Sequence, residues 1–375
     1  MKKMIKLSLV AAVAVAGLTT TASAAPMADS IKNTDLSGYI RYRYTNGSAE
    51  TETNAYKTVF VTKSKVNDAV TAKLKVAGEG KTSDASGDAD PVTVAVKEAN
   101  FVMNVAGATV IAGKQGLATP FADGGDQQGS GVVVVKPVNK SLTLAAGWYT
   151  NSDAKSFIGT KLSGNNIAAL AAIGKAGSVN YAAWYVTISE NMGAAAMAGA
   201  TATNLNLSTK VANVSLELNV ANVDYTGTTG DTLADQEQTR VVAATSVAGL
   251  NVAAGFVTTG TEGGNVTLGD TDAAANFSVE NVSVSALADA DATYLSVSKK
   301  FGKVTVTAET VSATGKVGQS TAAATAAQAE IDADENKFSV AYAMSKNFKI
   351  SGFVTSGETG TTETDMSRIE VKYTF

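Results

Sequence analysis

Arg41 and Arg43 stand two positions apart in GYIRYRY, framed by Ile40, Tyr42 and Tyr44. Side chains of an extended strand alternate between its two faces, so both guanidinium groups share one face and the apolar residues take the other. Downstream, Asp123 and Asp126 lie in GLATPFADGGDQQGSG, residues 116–131, where the glycines and Pro120 permit a folded-back path. Cations on a wall facing carboxylates on a loop would set a transverse electric field. Charged rings of that kind sort ions; they neither make nor break bonds.

Composition argues against bond-breaking chemistry. The chain has no His and no Cys, which excludes Ser-His-Asp and Cys-His nucleophiles and the usual zinc ligand sets. Asp88 with Asp90 and Asp289 with Asp291 are carboxylate pairs, but both lie in loop-like sequence with no apolar pocket to raise one pKa for acid–base work. GKVGQST, residues 315–321, has the composition of a phosphate-binding loop in the wrong order. The sequence therefore reads as no enzyme, with no cofactor and no structural metal. The loop carboxylates match no twelve-residue calcium loop, so weak surface binding of Ca²⁺ is the most they support. The formal net charge of −4 also argues against a nucleic-acid partner, which requires concentrated Lys and Arg.

The elements that must carry these charges are strands. In the closing RIEVKYTF, Ile369, Val371, Tyr373 and Phe375 point one way, while Arg368, Glu370 and Lys372 point the other. The same period-two pattern recurs at Leu36 to Tyr44, Val70 to Val76, Leu142 to Trp148, Val214 to Val220, Val304 to Ala308 and Phe338 to Met344. Such strands suit a transmembrane antiparallel β-barrel, with apolar residues against lipid and polar residues lining water. The sequence predicts an all-β barrel of about 18 strands, within a range of 16–22, wide enough for an aqueous lumen. Tight turns are expected near Pro137 to Lys140, Ala212 to Asn213, Ala248 to Gly249, Glu280 to Asn281 and Ser345 to Asn347. Longer loops are expected at 45–55, 78–91, 226–236, 259–272, 313–335 and 357–365.

Energy decides facing. Arg or Lys against lipid near the bilayer midplane costs about 2–4 kcal/mol, so Arg41, Arg43, Lys73, Lys75, Lys210, Lys349, Arg368 and Lys372 should line the lumen with Glu217, Glu309 and Glu370. Lys114, Asp123 and Asp126 complete the expected constriction. The wall is then mainly basic, whereas the loops are acidic, through Asp84, Asp88, Asp90, Asp231, Asp235, Asp270, Asp272, Asp332, Asp334 and Glu335.

Lys2, Lys3 and Lys6 precede an apolar run from Leu7 to Leu18 and the small residues Ala22, Ser23 and Ala24, the layout of a secretory signal peptide. Residues 1–24 are expected to be removed, leaving 25–375 as one barrel domain in a bacterial outer membrane. Loss of those three lysines carries the formal net charge from −4 to −7.

ADSIKNTDLSGYIRYRY (28–44), VIAGKQGLATPFADGGDQQGSGVVVVKPVNKSLTLAAGWY (110–149) and the terminal Phe375 resemble the Campylobacter-type major outer membrane porins. The resemblance implies a trimeric 18-stranded barrel passing small hydrophilic solutes and ions. Independently, the final aromatic after alternating apolar residues, Ile369, Val371, Tyr373 and Phe375, resembles the signal read by the barrel-assembly machinery of bacterial outer membranes. Aromatic residues are only 6% of the chain, thin for two interfacial girdles. Two other readings compete: a secreted surface-layer or adhesin-like β-protein, which needs no continuous lipid-facing stripe, and a substrate-specific channel, which needs a saturable site in the lumen.

Overall fold

The computed structural model describes residues 33–47, 52–83, 92–154, 165–189, 199–226, 234–269, 272–318 and 329–375. The signal-peptide segment and Asp84, Asp88, Asp90, Asp231 and Asp270 lie outside the described residues. No helix among those described is long and apolar enough to cross a membrane.

The chain forms one continuous antiparallel sheet that closes on itself. Its strands are β1 (Thr34–Gly47), β2 (Glu52–Lys65), β3 (Val70–Ser83), β4 (Thr93–Val105), β5 (Ala108–Gly116), β6 (Gln128–Asn139), β7 (Leu142–Ser152), β8 (Ile167–Ala176) and β9 (Val179–Ile188). They continue as β10 (Gly199–Val211), β11 (Val214–Thr226), β12 (Gln236–Val247), β13 (Leu250–Thr259), β14 (Leu287–Phe301), β15 (Val304–Val317), β16 (Glu330–Ala343), β17 (Phe348–Thr359), β18 (Thr362–Glu363) and β19 (Met366–Thr374). β18 is a two-residue rung on β17; the others are the 18 staves of the barrel. Each stave pairs with its neighbours in sequence, and β19 pairs with both β17 and β1 to close the ring.

Period-two alternation explains the two surfaces. Residues directly opposite in an antiparallel pair put their side chains on the same face. Thus Tyr42 opposes Tyr56 and Val371, and Phe338 opposes Ala308 and Val354. Ile40, Tyr42, Phe60, Leu144, Trp148, Phe256, Leu295, Phe338, Val354 and Ile369 are exposed on the outer face. For a soluble protein this apolar belt would be an aggregation surface; for a barrel it is the lipid contact. The stripe continues through β10, where Leu205 opposes Val220 and Leu207 opposes Leu218.

The strands run longer than the alternation indicates. Asp332, Asp334 and Glu335, expected in a loop, belong to β16, and much of 45–55 and 357–365 is strand. Beyond the apolar belt both faces of a stave are polar, so the hydrophobic period disappears although the hydrogen-bond ladder persists. Glu280 to Asn281 is not a turn between staves. It lies within a segment, 260–286, that joins β13 to β14.

Barrel interiors of this width ordinarily hold water, yet this one holds two apolar clusters. Leu117, Phe121 and Ala122 from segment 117–127 pack with Val266, Leu268 and Ala275 of segment 260–286 against Tyr149, Ile167, Val186, Ala200 and Val223 of the wall. Phe277, Val282, Val284 and Leu287 pack on Val257, Ala292, Val311 and Ala333. Both connecting segments therefore fold into the barrel.

Candidate functional site: the lumen constriction

Segment 117–127 leaves and rejoins the wall at one point. Leu117 N donates to Gln127 O at 3.0 Å, and a Cβ on Gly116 would lie 2.1 Å from Gly124 O. Only glycine allows that approach. Inside the lumen the two segments are stapled together. Leu268 N donates to Phe121 O at 2.6 Å, Ala275 N donates to Pro120 O at 2.8 Å, and Gln127 Nε2 donates to Leu268 O. They pack against the wall along β7–β16, and the side formed by β19 and β1–β4 lies outside both apolar clusters, open to polar contacts.

Their tips attach at opposite ends of that open side. Asp126 accepts from Lys57 Nζ of β2 at 2.6 Å, and Lys75 Nζ donates to Gly125 O. Lys57 also pairs with Glu79 at 3.0 Å. Burial opposes ionisation of Asp126, but the Lys57 ammonium outweighs it and holds the carboxyl below the usual aspartate range. At the other end Glu280 bridges Arg368 at 2.6 Å and Lys337 at 2.8 Å. Behind it the fully buried Glu335 accepts backbone N–H groups from Glu280, Asn281 and Val282 at 3.1, 3.0 and 2.9 Å. A carboxylate with three amide donors is a strong local anchor. Gln238 Nε2 donates to Ala275 O, and Arg240 Nη1 donates to Asn276 O at 2.8 Å, fixing the rest of the segment.

Between the tips the wall presents alternating charge. Arg43 pairs with Glu370 at 2.8 Å, and Arg41 Nε lies 4.0 Å from the same carboxylate. Lys73 pairs with Glu98 at 2.6 Å, with Lys75 4.0 Å from its other oxygen. Lys372 lies over the Tyr39 ring. Glu370 and Glu98 thus each serve two cations, and the excess on this part of the wall is positive.

The expected site residues fall into three groups. Arg41, Arg43, Lys73, Lys75, Arg368, Glu370 and Lys372 lie on the lumen side at the open part of the wall. Glu217 faces the lumen on β11 but is engaged by Arg240 at 2.9 Å. Asp126 reaches the wall at Lys57 of β2, not at Arg41 and Arg43 of β1. Asp123 turns inward on its own loop and accepts from Gly125 N at 2.7 Å. Lys114 corrects a sequence expectation. It stands opposite Ala99 and Ser130, on the face of exposed Phe101, so the register places it outside the barrel, with Nζ donating to Val96 O at 2.9 Å. Gly113, with φ +126, and the register shift beside Val96 lie next to it. Sequence reasoning missed Lys57, Glu79, Glu98, Glu280 and Lys337. The first three occupy polar positions of alternating strands and were open to the same facing argument; Glu280 was not, because nothing local marks a loop tip that crosses a barrel.

A closed barrel with an apolar belt outside and a charged, loop-narrowed lumen defines an outer-membrane porin. The sequence profile of the Campylobacter major outer membrane protein family matches residues 1–375, and the chain belongs to that family. No curated protein matches it in sequence. Its fold is similar to Pseudomonas aeruginosa OpdK, solved with vanillate, at TM-score 0.72 and 14% identity, covering 92% of this chain and 99% of that one. P. aeruginosa OccK5 (OpdH) gives 0.71 and 15%, covering 92% and 98%. Acinetobacter baumannii OccAB3 gives 0.70 and 10%, covering 92% and 99%. The protein forms a water-filled channel in the outer membrane of a Gram-negative bacterium.

Proposed function

We propose that ions and small hydrophilic solutes cross by diffusion, without a cofactor or catalytic step, through the gap bounded by Asp126, Glu280 and the β19–β1 wall. The observation that carries this reading is the pair of tethers, Lys57 to Asp126 and Glu280 to Arg368. They pin the two segment tips to β2 and to β19, on either side of Arg41 and Arg43 on β1. Because cations outnumber carboxylates on that wall, the gap favours anions. Residues 1–24 direct export, the RIEVKYTF strand engages the assembly machinery, and the mature barrel works as a homotrimer in the lipid of the outer membrane.

The test is single-channel conductance of the purified protein in a planar bilayer under a salt gradient. Stepwise openings grouped in threes with a reversal potential of anionic sign are expected. Ungrouped steps would remove the trimer, and a cationic sign would remove the wall as the selectivity element. Folded protein that never conducts would favour a surface-layer role.

A second reading, a channel specific for small organic anions, is supported by Arg41 Nε, which is buried and lacks a hydrogen-bond partner. Saturable flux of a carboxylate solute would favour it over general diffusion.

A further inference from the structure

The two inward segments occupy the lumen toward the long-loop end, and below them the wall between β8 and β14 is uncovered. There the facing residues are small. Ser215 opposes Ala244, Ala244 opposes Ala253, and Ala253 opposes Ser296, leaving a hollow of about 520 Å³ that Lys210 borders with Asn251 and Ser298. A neighbouring hollow of about 440 Å³ is lined by Lys175, Lys210, Asn180, Ser208 and, on one side, Glu217. Lys300 follows Ser298 on the same face of β14.

No ion pair within the described residues neutralises Lys175, Lys210 or Lys300. Glu217, which borders the second hollow, is neutralised by Arg240 at 2.9 Å, and Glu309 accepts from the Tyr294 hydroxyl at 2.9 Å. Lys349 and Lys372 face the lumen at the same end. Among the described residues within three positions of the short turns at this end, the one carboxylate is Asp68, and Asp35 stands at the start of β1. Asp68 is bound to Lys65 at 2.9 Å. The opposite end carries Asp272, Asp289, Asp332 and Asp334. Charge is therefore separated along the barrel axis as well as across the constriction.

We propose that this periplasmic vestibule is a second charge station, in which Lys175, Lys210 and Lys300 over a floor of serine hydroxyls and asparagine amides hold multivalent oxyanions. Ammonium groups supply point charge, and the neutral donors share the remaining oxygens. The consequence is directional conduction: anions concentrate on the turn side of the constriction, so current differs with the sign of the voltage. This rests on the channel reading, and the experiment separates the two.

The probe is inorganic pyrophosphate, added to one side of a bilayer holding the full-length mature protein. Ser345→Cys supplies the sole thiol of a Cys-free chain in a short turn; its biotinylation lets streptavidin report which side the turns face. Wild type in 0.1 M KCl should rectify, and pyrophosphate should block from the turn side at about tenfold lower concentration. Both effects should fade in 1 M KCl, where the Debye length falls from about 10 Å to about 3 Å. Lys175→Gln/Lys210→Gln/Lys300→Gln should conduct without rectification or sided block, and the corresponding Lys→Arg triple should retain both. Lys210→Gln alone, which borders both hollows, should lose part of the sided block and covers the case where the Gln triple does not fold. Equal block from both sides in wild type, or unchanged sided block in the Gln variants, would overturn the proposal. Wild-type protein that opens no channels would instead overturn the channel reading.

Discussion

Lys57 and Asp126 are 69 residues apart in the chain and 2.6 Å apart in the lumen. One belongs to the wall and the other to the segment that narrows it, so their contact sets how far segment 117–127 reaches across the barrel. Lys57 is itself buried by the contact, which leaves little room for another partner.

Asp126→Asn should loosen that reach and remove a carboxylate beside Lys75. Conductance should rise and the reversal potential in a salt gradient should move toward anions. Asp123→Asn should shift ion preference less, because Asp123 closes a turn within its own loop. An Asp123→Asn, Asp126→Asn double variant with the ion preference of wild type would show that neither carboxylate acts on permeating ions.

Acid should act at the same contact. The Asp126 carboxyl ionises more readily in the fold than in the unfolded chain, whose aspartates titrate near pH 3.9. A lowered folded value means the stabilisation is fully present above that reference pH and is lost as pH falls through the lowered value. Channels held at neutral pH should keep constant open-state noise, and noise should grow only below about pH 4. Onset of noise at pH 5–6 would place the responsible group elsewhere.

The second segment depends on Glu335. Glu335→Ala leaves three backbone donors without their acceptor, at about 1–3 kcal/mol for each that stays dry. Segment 260–286 should become protease-sensitive in folded barrels while the barrel still migrates as a folded species in unheated gels. Glu335→Gln, which keeps an acceptor oxygen and loses the charge, should fall between. Protection equal to wild type in Glu335→Ala would assign the anchoring to Glu280 and its two cations.

The seam offers a test of closure. Phe375 exchanges backbone hydrogen bonds with Gly38, at 2.9 and 3.0 Å, and its ring lies 5.7 Å from Phe60 and 6.0 Å from Tyr373. A Cβ on Gly38 would meet Val59 O at 2.0 Å and the Phe375 ring at 3.0 Å. Gly38→Val should therefore lower the melting temperature of the barrel more than Phe375→Ala. The latter removes two ring contacts worth about 0.5–1.5 kcal/mol each beyond area burial. Heat-modified gel mobility measures both.

Much of the wall was legible because lipid imposes a strict rule on every second residue. Tyr42, Leu144, Phe338 and Ile369 could be assigned to the outer face, and Arg41, Lys73 and Glu370 to the inner one, from spacing and the cost of a charge in hydrocarbon. The same rule placed Lys114 wrongly, since a glycine with positive φ and a nearby register shift change which face a position serves without altering the residue types. Segment 117–127 carried glycines and a proline that marked an unusual path. Segment 260–286 did not: its apolar residues Val266, Leu268, Phe277, Val282 and Val284 mimic short strands, and its partners are contributed by β12, β16 and β19. Glu335 reads in sequence as one more exposed acid among Asp332 and Asp334, and only the folded ring shows what it holds.

The meeting of Gly38 with Phe375 also constrains kinetics. The ring is completed by β1 and β19, so its closing pairing joins Gly38 and Phe375 across 337 positions of sequence. Loop-closure entropy makes such contacts late and slow. Until the last residue arrives, β1 and the newest strand remain open edges with an apolar face, a state prone to mispairing with other chains. Without β19 to pair with β1 the ring has no seam, so the barrel commits to its final topology only when those two strands meet.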